Sequence, residues 1–180
     1  DLNWARLNAW RDLVAQFFDD PAFRREVYEI SEVEIERDIS GPDNVPTRTL
    51  LLTGWLATRL KWRRLSAERT GDQWLSRWSS RSGDVVVRFS GHLFAAGEEP
   101  GISTIVLKTR AGTTFRLVRD CGAAHITATV SGRGPDLVHS VPQQLMDEAT
   151  LLAHELSLSG KDTSFQSALA EALDLEKAFK

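Results

Sequence analysis

One cysteine, one methionine and one tyrosine are all that these 180 residues hold of those three types, and each scarcity excludes something. The lone thiol, Cys121, closes no intramolecular disulfide, so the chain is not a secreted scaffold stapled by bridges, and a reducing, cytoplasmic location is expected. The lone methionine is Met146 and the chain opens Asp1-Leu2-Asn3-Trp4, which predicts a portion of a longer protein. Long apolar runs are missing too. The most apolar stretch, TLLLTGWLATRLKWRR from Thr49 to Arg64, is broken by Gly54, Arg59 and Lys61, well short of the roughly 20 residues that span a bilayer. No internal repeat or low-complexity segment is visible.

Catalytic signatures are equally scarce. His92, His125, His139 and His154 lie far apart, without the spacing of a zinc site, and His154 reads as a solvated residue near Asp147. SGKDTS holds the Gly160-Lys161 pair of a phosphate loop, but has Glu155 where the first glycine belongs and Asp162 in place of the magnesium-binding hydroxyl. GRGPDL places Leu137 where a dinucleotide loop needs its third glycine. The row Glu32, Glu34, Glu36 and Asp38 offers hard oxygen ligands on one strand face, yet alternate residues lie nearly 7 Å apart and neighbouring cations, Arg37 or the basic strand after Lys61, are expected to neutralise them. No serine, cysteine or lysine stands in a nucleophile motif. These readings predict no catalytic residue, no metal and no cofactor.

What is present is an uneven charge and six tryptophans. The net charge of −3 divides into −6 over residues 1–47 (11 acids, 5 bases), +6 over 48–88 (3 acids, 9 bases) and −3 over the rest (11 acids, 8 bases). A basic middle in an acidic chain marks either an acidic partner or a face that balances its own neighbours. Tryptophan and arginine dominate interface hot spots, and Trp74 and Trp78 sit beside Arg77 and Arg81 in what reads as a polar connection, GDQWLSRWSSRSG. Trp4 falls off the apolar stripe of the first helix, next to Arg11, while Arg59, Lys61, Arg63 and Arg64 leave the apolar helix as a basic tail. These ten residues are the candidates for partner binding. The bland alternative is that the tryptophans close over the core. On the first reading, Trp74→Ala and Trp78→Ala leave the fold intact and weaken the partner.

Periodicity supplies the fold. Residues 3–18 carry Leu7, Trp10, Leu13, Val14, Phe17 and Phe18 on one helical stripe. VEIERD alternates as a strand with one wet face. After the turn-rich loop Ser40 to Thr47 comes a helix from Thr49 to Lys61, apolar on most sides, whose Gly54 admits a second backbone, and then the strand KWRRL. Strands at Val85 to Phe94, Ile102 to Arg110, Thr113 to Asp120 and Ala124 to Val130 read as a meander through glycine-marked turns. Two amphipathic helices close the chain, one through Met146 to Leu156, the other from Phe165 to Phe179 behind a cap at Asp162, Thr163 or Ser164. The expected class is α+β: a mostly antiparallel sheet (meander) with one right-handed βαβ-like crossover and helices packed on it. One domain over 1–180 is expected, with a subdivision point near 66–84.

In this order, DLNWARLNAWRDLVAQFFDDP, VEIE, LLLTGWLATRLKW and ISTIVLKTRAGTTFRLVRD resemble the OpcA family, the glucose-6-phosphate dehydrogenase assembly proteins of cyanobacteria and actinobacteria. The resemblance covers nearly the whole chain and places it in the C-terminal portion of such a protein. It implies no enzymatic activity. It implies instead binding to glucose-6-phosphate dehydrogenase, with promotion of that enzyme's assembly and allosteric activation in the oxidative pentose phosphate pathway. It also implies a link to thioredoxin, for which Cys121 is the only thiol here. The competing reading is a single-stranded nucleic-acid-binding module that uses the basic, tryptophan-containing segment 48–88 for charge and stacking.

Overall fold

The computed structural model describes residues 1–38, 46–71, 73–92, 101–119, 125–132, 137–142, 149–150, 152–153 and 162–180. The α+β class holds. Eight strands form one mixed sheet: β1 (Ile30–Asp38), β2 (Arg63–Thr70), β3 (Gln73–Ser80), β4 (Gly83–His92), β5 (Ile102–Thr109), β6 (Thr114–Arg119), β7 (His125–Ser131) and β8 (Leu137–Pro142). They lie in the order β2-β3-β4-β1-β5-β6-β7-β8. Only β1 and β4 pair in parallel; every other neighbour is antiparallel.

Three expectations are corrected by this order. The polar connection of residues 66–84 is instead most of β2 and β3, two hairpin-linked strands whose turns use Gly71 and Gly83 at φ +60° and +121°. The first of the four expected meander strands, β4, does not neighbour the second, because β1 is inserted between β4 and β5. The strand that follows the apolar helix does not lie beside β1, but three places away at the sheet edge. Chain order misleads here because β1 is formed early and receives partners from two later segments. The turns at GEEPG and DCGA, the loop 39–45, Cys121 and most of the helix through Met146 to Leu156 lie outside the described residues.

Strict alternation sorts the sheet into two faces. Val33 and Ile35, Trp74, Ser76 and Trp78, Val85, Val87 and Phe89, Ile105 and Leu107, and Phe115 and Leu117 share one face and are buried. Helices cover that face. The expected single helix over residues 3–18 is broken into α1 (Leu2–Ala5) and α2 (Asn8–Phe17). From the end of α2, Phe17 and Phe18, with Phe23 after them, surround the Phe115 ring at centroid distances of 5.1, 4.9 and 5.4 Å. Trp74 packs edge-on against Phe179, and the Trp78 indole N–H donates to the Ser76 hydroxyl at 2.8 Å, which satisfies two polar groups at full burial.

The apolar helix, α3 (Thr47–Leu60), ends with Lys61 in the left-handed conformation, φ +57°, while the Trp62 amide reaches back to the Ala57 carbonyl. Its neighbour is the last helix, α4 (Thr163–Ala178). A Cβ on Gly54 would overlap the Ala168 carbonyl oxygen, so the glycine sets the distance between the two backbones. This is the role its place in the sequence predicts.

The break between α1 and α2 turns Trp4 inward, contrary to its expected place off the stripe. Its ring is 3 % exposed, 5.5 Å from Phe165, with the Arg11 guanidinium 3.5 Å over its face. Its indole N–H donates to Asp162 at 2.8 Å, and the other Asp162 oxygen caps α4 through the Phe165 amide at 2.9 Å. Burial alone would raise the Asp162 pKa. The hydrogen bonds from the Phe165 amide, the Trp4 indole and the Ser164 amide, with Arg11 nearby, outweigh it and hold the carboxyl below its usual value.

Three outcomes follow from this packing. Gly54→Ala should lower the urea midpoint, by roughly 1–3 kcal/mol of overpacking, although alanine is the better helix former. Trp78→Ala should cost about 3–5 kcal/mol and a large drop in melting temperature, in place of the intact fold expected from sequence. Asp162→Ala should cost about 1 kcal/mol at neutral pH. Because the folded pKa is depressed, that difference is present above the unfolded value of about 4 and fades as pH falls below it, which urea titrations at pH 7 and pH 3 would read.

Candidate partner-binding surface

The second face of the sheet carries no helix among the described residues. Register defines its composition. One rung crosses all eight strands as Glu68, Leu75, Arg88, Glu34, Val106, Arg116, Thr129 and Val138, and a second places Arg77, Val86, Glu32, Lys108, Thr114 and Ser131 side by side. The alternation that buries β1 at Val33 and Ile35 therefore turns Glu32, Glu34 and Glu36 onto this face.

Those carboxylates meet cations from the flanking strands. Lys108 bridges Glu32 at 3.3 Å and Glu34 at 2.8 Å, and Arg88 pairs with Glu32 from the other side. Sequence reasoning expected Arg37 or the strand after Lys61 to do this. Arg37 instead points to the buried face, and β2 lies three strands away. The signal for Arg88 and Lys108 was present in the period of two, since Arg88 stands between buried Val87 and Phe89, and Lys108 between buried Leu107 and Thr109. The acids are thus a partly exposed ion-pair ladder. Each such pair contributes about 0–1 kcal/mol in water, so the ladder fixes side-chain direction more than stability.

Near the middle of this face, across β3 to β6, is a concavity of about 290 Å³ lined by Glu34, Gln73, Leu75, Arg88, Val106 and Arg116 among others. Val106 and Thr104 form its floor at 6 % and 5 % exposure, screened by the long charged side chains around them. Of the residues that line it, Glu34, Glu36 and Trp74 were singled out from sequence, Trp74 as a partner contact and the two acids as members of the carboxylate row. Gln73, Leu75, Val106 and Arg116 carry no motif, and only the strand register brings them together.

The ten residues expected to meet a partner separate into two groups. Trp4, Trp74 and Trp78 are 3 %, 3 % and 0 % exposed, so the core reading of the tryptophans is the one their burial supports. Arg11 lies over Trp4, Arg64 pairs with Asp174 at 2.7 Å beneath the helix layer, and Arg59 donates to the Ser164 hydroxyl at 2.9 Å. Arg63 and Arg77 stand exposed on the helix-free face, Arg81 in the β3–β4 turn, and Lys61 at the end of α3. The structure brings Arg63, Arg77 and Arg81 together at one end of the sheet and leaves Trp4, Arg11 and Arg59 in the helix layer.

Comparison with known proteins gives this geometry its context. The model of a family described as the C-terminal domain of a glucose-6-phosphate dehydrogenase subunit matches residues 1–169. Over 78 residues the chain is 38 % identical to a candidate OxPP cycle protein OpcA of Nostoc punctiforme, and over 74 residues 35 % identical to that of Synechococcus elongatus. The matched segments are 43 % and 41 % of this chain but only 16 % of each relative. Among solved structures, KijD10, a 3-ketoreductase from Actinomadura kijaniata in complex with NADP, superposes with a TM-score of 0.59 at 12 % identity, over 92 % of this chain and 57 % of that one. The super-repressor mutant of Gal80p from Saccharomyces cerevisiae does so with a TM-score of 0.50 at 11 % identity, over 99 % and 61 %. At such identities the likeness is one of fold. The match over 169 residues decides the family: the chain belongs to the C-terminal domain family of the OpcA proteins, which are tied to glucose-6-phosphate dehydrogenase and the oxidative pentose phosphate pathway.

Proposed function

We propose that this chain is a non-catalytic partner of glucose-6-phosphate dehydrogenase that promotes the enzyme's assembly and shifts it toward its active state. The observation that carries the reading is the family match over residues 1–169, whose description names that dehydrogenase. Activation then follows from linkage. A protein that binds the active oligomer better than the other forms raises the population of that oligomer without taking part in the chemistry. Only differential affinity is needed.

The helix-free sheet face suits such work, because it offers a broad, ordered and charged surface on a scaffold that is buried on its other side. The nucleic-acid reading loses its main support. Trp62, Trp74 and Trp78, the stacking platforms it requires, are 8 %, 3 % and 0 % exposed. A thioredoxin link would have to act through Cys121, and cytoplasmic residence belongs to the same proposal.

Adding the intact protein to the dehydrogenase of the same organism should raise the rate at subsaturating glucose 6-phosphate, with the two proteins co-eluting in size-exclusion chromatography. No binding and no change in rate would overturn the proposal. Binding without a change in rate would reduce it to docking.

A further inference from the structure

The cations of the basic segment 48–88 divide by the face they occupy. Those directed toward the helices have tasks within the chain: Arg64 pairs with Asp174, and Arg69 lies 4.5 Å over the Trp74 ring. On the helix-free face, Arg63 stands opposite Ser79 and Arg77 opposite Ser66, which makes the two arginines diagonal neighbours on adjacent strands. Arg81 follows in the turn that closes β3 onto β4. All three are exposed and make no ion pair or hydrogen bond among the described residues. The carboxylates of the same strands and face, Glu68 and Asp84, pair with none of them. Further in, Glu32, Glu34, Arg88 and Lys108 compensate one another.

The three unpaired arginines outnumber the two unpaired carboxylates, which leaves a small positive excess beside the edge strand and next to Leu65, 53 % exposed at the β2 irregularity between Arg64 and Ser66. We propose that this end of the helix-free face is the docking surface for an acidic face of a partner protein. Carboxylates of the partner meet Arg63, Arg77 and Arg81, and an apolar side chain enters the concavity between Leu75 and Val106. The proposal rests on the functional reading above, which supplies the partner.

Size and chemistry favour a protein over a nucleic acid. Eight strands at about 4.8 Å spacing, each near 20 Å long, give a whole face of roughly 700 Å², so a partner that docks at this end and reaches the concavity meets a large share of the 800 Å² or so that each side of a stable protein interface buries. Glu32, Glu34, Glu36 and Glu68 are interleaved with the cations, a pattern that repels a continuous phosphate backbone but selects a surface of matching mixed charge. Arginine fits interface positions of this kind because it forms bidentate pairs with carboxylates.

The test uses the intact protein with Arg63→Glu, Arg77→Glu and Arg81→Glu combined, and Lys177→Glu on α4, behind the sheet, as the charge-reversal control. Unchanged melting temperatures verify that the variants fold. The triple variant should bind the dehydrogenase at least about tenfold more weakly, with the wild-type affinity falling as salt rises, while the control keeps wild-type affinity. Equal binding by the triple variant and wild type overturns the docking surface and leaves the functional reading standing. If the wild type binds no dehydrogenase, the functional reading fails alone, and a labelled oligo-glutamate peptide decides the surface. Binding of that peptide lost in the triple variant supports the surface; no binding, or tighter binding of a labelled single-stranded oligonucleotide, overturns it.

Discussion

Among the described residues, the structure depends on the burial of one face only of an eight-stranded sheet, and the central strand β1 imposes that condition. Val33 and Ile35 are 0 % exposed while Glu32 and Glu34, between and beside them, stay in contact with water. A slip of one residue would bring three carboxylates into the core and turn its apolar residues outward, so the register of β1 is fixed by the cost of burying unpaired charge. Its two neighbours inherit that register, one parallel and one antiparallel, and pass it outward to both edges. The helix layer then has one surface to cover, and within it α3 and α4 approach closely at Gly54.

Local pattern revealed the parts of this arrangement better than their order. The alternation of β1, the buried helix around Gly54 and a helix cap within Asp162 to Ser164 were readable because each depends on residues a few positions apart. The position of β1 between β4 and β5 was not, since nothing in VEIERD or VVVRFS states which strand it pairs with. Segment 66–84 was misread for a related reason: Gln73, Arg77 and Ser79 occupy the wet face of β3 and Ser76 is itself polar, which hides the period of two formed by Trp74, Ser76 and Trp78. The break between α1 and α2 was invisible because the apolar stripe runs through it; it redirects Trp4 without altering the spacing from Leu7 to Phe18.

The candidate surface follows the same division. Tryptophan frequency suggested hot spots, but large rings also fill a core, and Trp4, Trp10, Trp74 and Trp78 are buried in that way. The arginines behaved differently. Their long stems can lie along either face of a strand, and only pairing partners reveal which of them the fold requires. Arg64 and Arg69 have intramolecular contacts; Arg63, Arg77 and Arg81 have none that the structure describes. That distinction could not be read from RRLSAERT and QWLSRWSSR, in which no local signal separates the five.

The ladder on the helix-free face also bears on how docking would be controlled. In the free chain the pairs among Glu32, Glu34, Arg88 and Lys108 are partly exposed, so each is screened and weak. Under a partner they would lose solvent. An ion pair already formed before that burial brings less desolvation cost than two charges that must find each other during it, and a preorganised ladder therefore favours partners whose charges extend its pattern. Mismatched partners would leave Glu36 or Arg116 buried without compensation, a penalty far larger than the gain from any one surface pair. Such a face discriminates chiefly by rejection. On the proposed docking, its affinity would come from the apolar floor at Val106 and the unpaired arginines at the edge, and its specificity from the ladder between them.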